Sequence, residues 1–275
     1  MINWDKRAIT TLNVIIIFCR VFFSYYFCSM KRTGILVFAI CCVVLCIMAA
    51  THRQNDDGMA ALREWRAGST VTASDVQAFG LEKCFAAEEI PDNVWKRMQG
   101  KTYMPNPHIS RNDLRHIRVL HWDTDKKIHI GEMVCNKRIA KDLVDIFRQL
   151  YDAHYPIQRM VLPDEYDADD ERQMRANNTS CFCYRKVAGS QSLSKHALGL
   201  AVDLNSLYNP YVKRYKNGSM FIQPSTAAAY CDRKANIPYK IDHNDLAYKL
   251  FKQHGFIWGG DWKSAKDYQH FEFRK

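Results

Sequence analysis

Two imidazoles and two carboxylates stand at spacings that suit a catalytic metal. The stretch Ser194-Lys195-His196-Ala197-Leu198-Gly199-Leu200-Ala201-Val202-Asp203 is answered near the C-terminus by Asp267-Tyr268-Gln269-His270. His196, Asp203 and His270 make a three-ligand set, with a second acid, Asp267, left beside it. Three protein ligands and one open position are the pattern of a catalytic zinc, whereas a structural zinc is closed by four ligands. No Cys-x2-Cys pair lies near either segment, so the spacing points to hydrolytic zinc chemistry. Taken singly, each residue has an ordinary reading: a lone histidine is a surface or satisfied core group, Asp203 a turn residue, Asp267 a solvated charge. The set singles them out. At roughly one in twenty per fixed position, the joint match is not expected from composition.

The elements around these residues must bring them together. Leu200 to Leu204 alternates as a strand, with Leu200, Val202 and Leu204 on one side and Ala201 and Asp203 on the other. His196 and Asp203 have opposite parity, so Gly199 must supply a bend between them. Trp258 to Trp262 reads as a turn and Tyr268 to Phe273 as the last strand, with His270 and Glu272 on one face and Phe271 and Phe273 in the core. Asp267 has the wrong parity for that face and is expected in the turn before it. Apolar runs at 117–121 and 128–135, split by Asp123-Thr124-Asp125, predict a hairpin. Asn136 then caps a helix carrying Ile139, Leu143, Ile146, Phe147 and Leu150 until Pro156. The acidic stretch 163–178 reads as a loop, and 244–253 as a second helix stopped by Gly255.

The chain has 275 residues, room for one well-buried domain with extras. Its formal net charge of +10 is interleaved with acids along the whole length, without a basic run mixed with aromatics. Nucleic acid is therefore not an expected partner, while attraction to anionic surfaces such as a bacterial cell wall is. Five of the ten cysteines (Cys19, Cys28, Cys41, Cys42, Cys46) lie in the apolar N-terminal stretch. The other five lack metal-site spacing and read as buried small apolar residues, with a single Cys181–Cys231 bridge left open in an oxidising compartment. Met30-Lys31-Arg32 followed by the apolar run Ile35 to Ala50 has the layout of a signal peptide, or of an N-terminal anchor where it is retained. Residues 1–29 read as an over-called start or an extra apolar segment. Residues 51–74 read as a linker, and 75–275 as the functional domain with its motif-bearing core at 117–275. The protein is expected in the periplasm or cell envelope, as a monomer that meets the membrane only through the 30–50 segment.

Ser-x-His-x-x-Gly-x-Ala-x-Asp followed by Asp-x-x-His resembles the zinc D-alanyl-D-alanine carboxypeptidases, a family that also holds D,D-dipeptidases and the L-alanyl-D-glutamate endopeptidases of phage endolysins. The resemblance implies an α+β fold, a small antiparallel sheet with helices packed on one side, shared with the signalling domain of Hedgehog proteins. It also implies Zn2+ held by His196, Asp203 and His270, with Asp267 as general base. Arg185 would meet the substrate near the scissile carbonyl and Ser194 would support the site; Glu272, read from its place in the last strand, either orients a ligand histidine or is an exposed strand-end charge. The substrate implied is the peptidoglycan stem peptide. Gly259-Gly260-Asp261-Trp262 and Asp267-Tyr268-Gln269-His270-Phe271-Glu272 look more like the endopeptidase branch, since carboxypeptidases commonly carry Glu at the position of Asp267. The competing expectation is a zinc-containing wall-binding module without turnover, against which the spare acid Asp267 speaks.

Overall fold

The computed structural model describes residues 40–44, 57–187 and 190–274. The chain divides into two compact units, 1–54 and 55–275. Of the first, only a helical segment at 40–44 is described, so the readings made for 1–29 and for most of 30–50 lie outside the described residues. No helix among the described residues is long and apolar enough to cross a membrane.

The second unit is built on a long hairpin. Strands β3 (Leu114–Trp122) and β4 (Ile128–Asn136) pair antiparallel from Leu114↔Asn136 to Trp122↔Ile128. Asp123 closes the turn, its Oδ1 accepting from the Lys127 backbone N–H at 2.9 Å. Short strands β1 (Thr70–Val71) and β2 (Ala86–Glu88) flank the pair, giving the order β1-β4-β3-β2. The hairpin is longer than the apolar runs at 117–121 and 128–135 suggest, because charged residues inside it find partners. Glu132, for example, pairs with His116 at 2.9 Å.

One face of this sheet, with Ile117, Val119, Met133 and Cys135, packs on the amphipathic helix α3 (Ala140–Asp152; α1 is Ala73–Phe79, α2 Asp92–Met98). The helix begins after Ile139. Asn136 ends the strand before it, with Oδ1 accepting from the Arg138 N–H at 3.1 Å. The other face is covered too. Ala61, Leu62, Trp65 and Val71 pack against Leu120, Ile128 and Ile130, and the Trp65 indole donates to the Gly131 carbonyl at 3.1 Å. Two expectations change here. Residues 57–74 are part of the domain rather than linker, their apolar side chains being too few in sequence to stand out, yet Ala61, Leu62, Trp65 and Val71 are buried on the sheet. Helices and lead-in also cover both faces of the sheet, not one.

The acidic stretch 163–178 is likewise more regular than a loop: a turn of 3-10 helix at Pro163–Tyr166 precedes helix α4 (Asp170–Arg175). Its N-cap is Asp169, which accepts from Arg172 N–H at 3.0 Å. Such a short helix has no apolar periodicity to show in sequence. Two further sheets follow, with orders β5-β10-β8 and β7-β6-β9. They are formed by β5 (Ala201–Asp203), β6 (Tyr211–Arg214), β7 (Met220–Gln223), β8 (Phe256–Trp258), β9 (Lys266–Asp267) and β10 (His270–Phe273). Helix α5 (Leu246–Gln253), capped by Asp245, leads into β8. The mixture of helices and small antiparallel sheets is compatible with α+β. Cys181 and Cys231 are both free thiols, so the bridge left open between them is not formed.

Candidate metal centre

His196 opens a turn of 3-10 helix, His196–Leu198, that Gly199 ends in the left-handed region at φ +63°. A Cβ at Gly199 would stand 2.6 Å from the Asn136 backbone nitrogen, which donates to the Gly199 carbonyl at 2.9 Å. Only glycine allows both the bend and this close approach. Ser194 holds the start of the turn, its Oγ accepting from the His196 N–H at 3.2 Å. Strand β5 then carries Asp203 to its register partner His270 on β10.

Three donors converge as a result. Asp203 Oδ2 lies 3.2 Å from His196 Nε2, Asp203 Oδ1 lies 3.0 Å from His270 Nδ1, and the two ring nitrogens are 3.2 Å apart. The far nitrogen of each ring is engaged elsewhere. His196 Nδ1 donates to the Cys181 carbonyl at 2.6 Å, and His270 Nε2 faces Glu272 Oε2 at 3.4 Å. These outer partners fix the rings so that one nitrogen of each turns toward Asp203. Among the described residues, this is the group of His, Asp, Glu or Cys side chains arranged to hold a metal ion. The residues fit a zinc: two imidazole nitrogens and a carboxylate oxygen are zinc donors, and one such atom from each residue lies within 4.8 Å of the others.

The electrostatics separate the two acids. Burial works against the charge of Asp203, but His196 and His270 hold its carboxyl well below the usual carboxylate range. Burial likewise opposes the charge of His270, yet hydrogen bonds to Asp203 and Glu272 raise it to about 10. Asp267 moves the other way, pushed up to about 7 by burial against the pull of His270. Its Oδ1 is buried without a hydrogen-bond partner, an acceptor aimed at something the protein itself does not supply.

Asp267 does not sit in a turn, as parity suggests. It belongs to β9, which pairs with β6 at Tyr211↔Asp267, so the chain changes sheet between Asp267 and His270. Gly259 makes this possible, since a Cβ there would stand 2.6 Å from the Asp267 carbonyl oxygen. Arg185 lines the same cavity, of about 460 Å3, with Ser194, His196, Asp203, Asp267, His270 and Glu272. Its Nε pairs with Asp170 Oδ2 at 2.8 Å. Asp170 escapes sequence reading because it stands among many acids in the 163–178 stretch, and only the fold brings it to Arg185. The same cavity has a wall of Tyr211, Lys213, Tyr215, Phe221 and Gln223, which no sequence motif marks. A strand-like alternation of aromatic and basic residues from 211 was its only signal.

Residues 188–273 match a family model described as D-alanyl-D-alanine carboxypeptidase. The resemblance carried by the motif is thus shown over this stretch, which holds Ser194, His196, Asp203, Asp267, His270 and Glu272 but not Asp170, Cys181 or Arg185. No curated protein and no solved structure matches the chain.

Proposed function

We propose that the chain is an exported zinc metallopeptidase that hydrolyses a peptide bond in the stem peptide of peptidoglycan, on a Hedgehog/DD-peptidase-like fold. The observation that carries this reading is the convergence of His196, Asp203 and His270 beside the buried, unpartnered Oδ1 of Asp267, in an open cavity within a segment that matches a peptidase family. Zinc bound by the three ligands would supply Lewis acidity, acidifying water and polarising the carbonyl.

The protein's own groups do the rest. Asp267 accepts the proton of the attacking water at Oδ1 and passes it to the leaving amine, tasks open to a carboxylate whose Oδ1 has no partner within the protein. Arg185, steadied by Asp170, donates to the carbonyl oxygen as charge builds there; one such donor is typically worth about 3–4 kcal/mol. Glu272 and the Cys181 carbonyl keep the imidazoles oriented. Ser194 braces the turn.

The Asp267-Tyr268-Gln269-His270-Phe271 setting favours the L-alanyl-D-glutamate bond. The description of the matching family favours the terminal D-alanyl-D-alanine bond as the second reading. Digestion of purified muropeptides by the zinc-loaded protein, with the products weighed, tests both. A product beginning with D-glutamate is expected. Loss of one terminal alanine would establish the second reading, and intact muropeptides throughout would overturn the peptidase.

A further inference from the structure

Strand β6 extends the cleft away from the chemistry. Tyr211 lies in register with Asp267, and the buried Val212 turns to the opposite face. Strand parity therefore puts Tyr211, Lys213 and Tyr215 on one face. The partner strand adds Phe221 opposite Lys213 and Gln223 opposite Tyr211, on that same face. The ladder continues through the Tyr215 N–H to the Ser219 carbonyl at 2.9 Å, so Tyr215 is held in line with the strand. All five side chains line the cavity that holds His196, Asp203 and Asp267.

This face has exposed aromatic area and a cation without an acidic partner among the described residues. Tyr215 and Phe221 are 45% and 47% exposed, large side chains gathered at the mouth of one cleft, where such exposure marks a binding surface. The Lys213 ammonium stands 5.4 Å from the centre of the Tyr215 ring, and no carboxylate among the described residues pairs with it. By contrast Arg185 is taken by Asp170, and Glu272 by His270. The surplus charge of the wall is therefore positive, beside aromatic surface.

We propose that the hairpin β6–β7 binds the part of an acidic peptide substrate that runs outward from the scissile bond, with a carboxylate on Lys213 and the adjoining carbon chain on Tyr215 and Phe221. The occupant follows from continuity with the cleft and from charge. Each same-face step along a strand is roughly 7 Å, so Lys213 and Tyr215 stand about one and two steps beyond Tyr211. An extended peptide held at the metal centre reaches that far with its second to fourth residues. This assignment rests on the peptidase reading above.

The test compares a synthetic stem peptide bearing free carboxylates with the same peptide bearing carboxamides, using the zinc-loaded full chain. Lys213→Ala is expected to raise KM about tenfold on the acidic peptide, to leave kcat within about twofold, and to change little on the amide. Tyr215→Ala combined with Phe221→Ala should raise KM on both. Equal losses on acid and amide in Lys213→Ala would overturn the role of Lys213. Unchanged KM in the aromatic pair would overturn the wall. Should the unmutated protein cleave neither peptide, the peptidase reading fails by itself, and direct binding of the two peptides then decides. A preference for the acidic peptide that disappears in Lys213→Ala supports the wall, and equal binding overturns it.

Discussion

Asp203 and Asp267 line one cavity, and their surroundings drive them to opposite protonation habits: one is held ionised between two imidazoles, the other is pushed up to about 7 by burial. The roles proposed for them, ligand and proton acceptor, match that difference in environment. Asp267→Asn should keep the metal, because none of the three donors is touched, while turnover falls about 10²- to 10⁴-fold. Zinc content per chain and muropeptide hydrolysis measured on the same sample check this, and retained turnover would remove Asp267 from the mechanism. At this scale the sequence was most legible. His196, Asp203, His270 and Asp267 stand out because ligand spacing is a linear pattern. Asp170 does not, because its meaning lies in an ion pair to Arg185 that only the fold creates.

Among the elements, the turn at Gly199 and the cap of α5 make separate demands. Gly199→Ala places a methyl group 2.6 Å from a backbone nitrogen at a positive φ. It is expected to cost about 2–3 kcal/mol and to weaken zinc binding together with stability, as read by thermal melts with and without metal. The bend itself was legible from the parity of His196 and Asp203, but the tight seat against Asn136 was not, since it comes from a strand some sixty residues earlier. Asp245 caps α5 by accepting from the Tyr248 N–H at 3.1 Å and from the Tyr155 hydroxyl at 3.2 Å. Burial raises it to about 6. The folded state thus binds its proton more tightly than the unfolded chain, and this group's contribution to stability is lost as pH rises from about 4 through about 6. Asp245→Asn keeps a good cap and removes the ionisation. It should stabilise the protein by about 1–2 kcal/mol at pH 7.5 and have little effect at pH 4, as measured by urea unfolding at the two pH values.

For the molecule as a whole, the central hairpin is buried on both faces, and that explains why boundaries were harder to read than chemistry. Strand β3 carries Arg115, Arg118, His116 and His121 among its apolar residues, so a simple alternation is absent although most of the strand is buried. Residues 57–71 look polar, yet Ala61, Leu62, Trp65 and Val71 close one side of the sheet. A chain shortened to begin at residue 75 should lose several kcal/mol relative to one beginning at 57, at about 1.5–3 kcal/mol for each large apolar side chain removed. Urea unfolding of the two chains checks this, and equal midpoints would show that the segment is dispensable. The division of the C-terminal half into two small sheets has a further consequence. The candidate metal-holding residues Asp203 and His270 share one sheet, while Asp267 stands on the other beside Tyr211, with Lys213 and Phe221 farther along it. In evolutionary terms, appetite and reactivity are then only partly separable: a lineage can exchange Lys213, Tyr215 and Phe221 toward the hairpin's far end and acquire a new diet, while Tyr211, seated beside Asp267, is tied to the inherited centre.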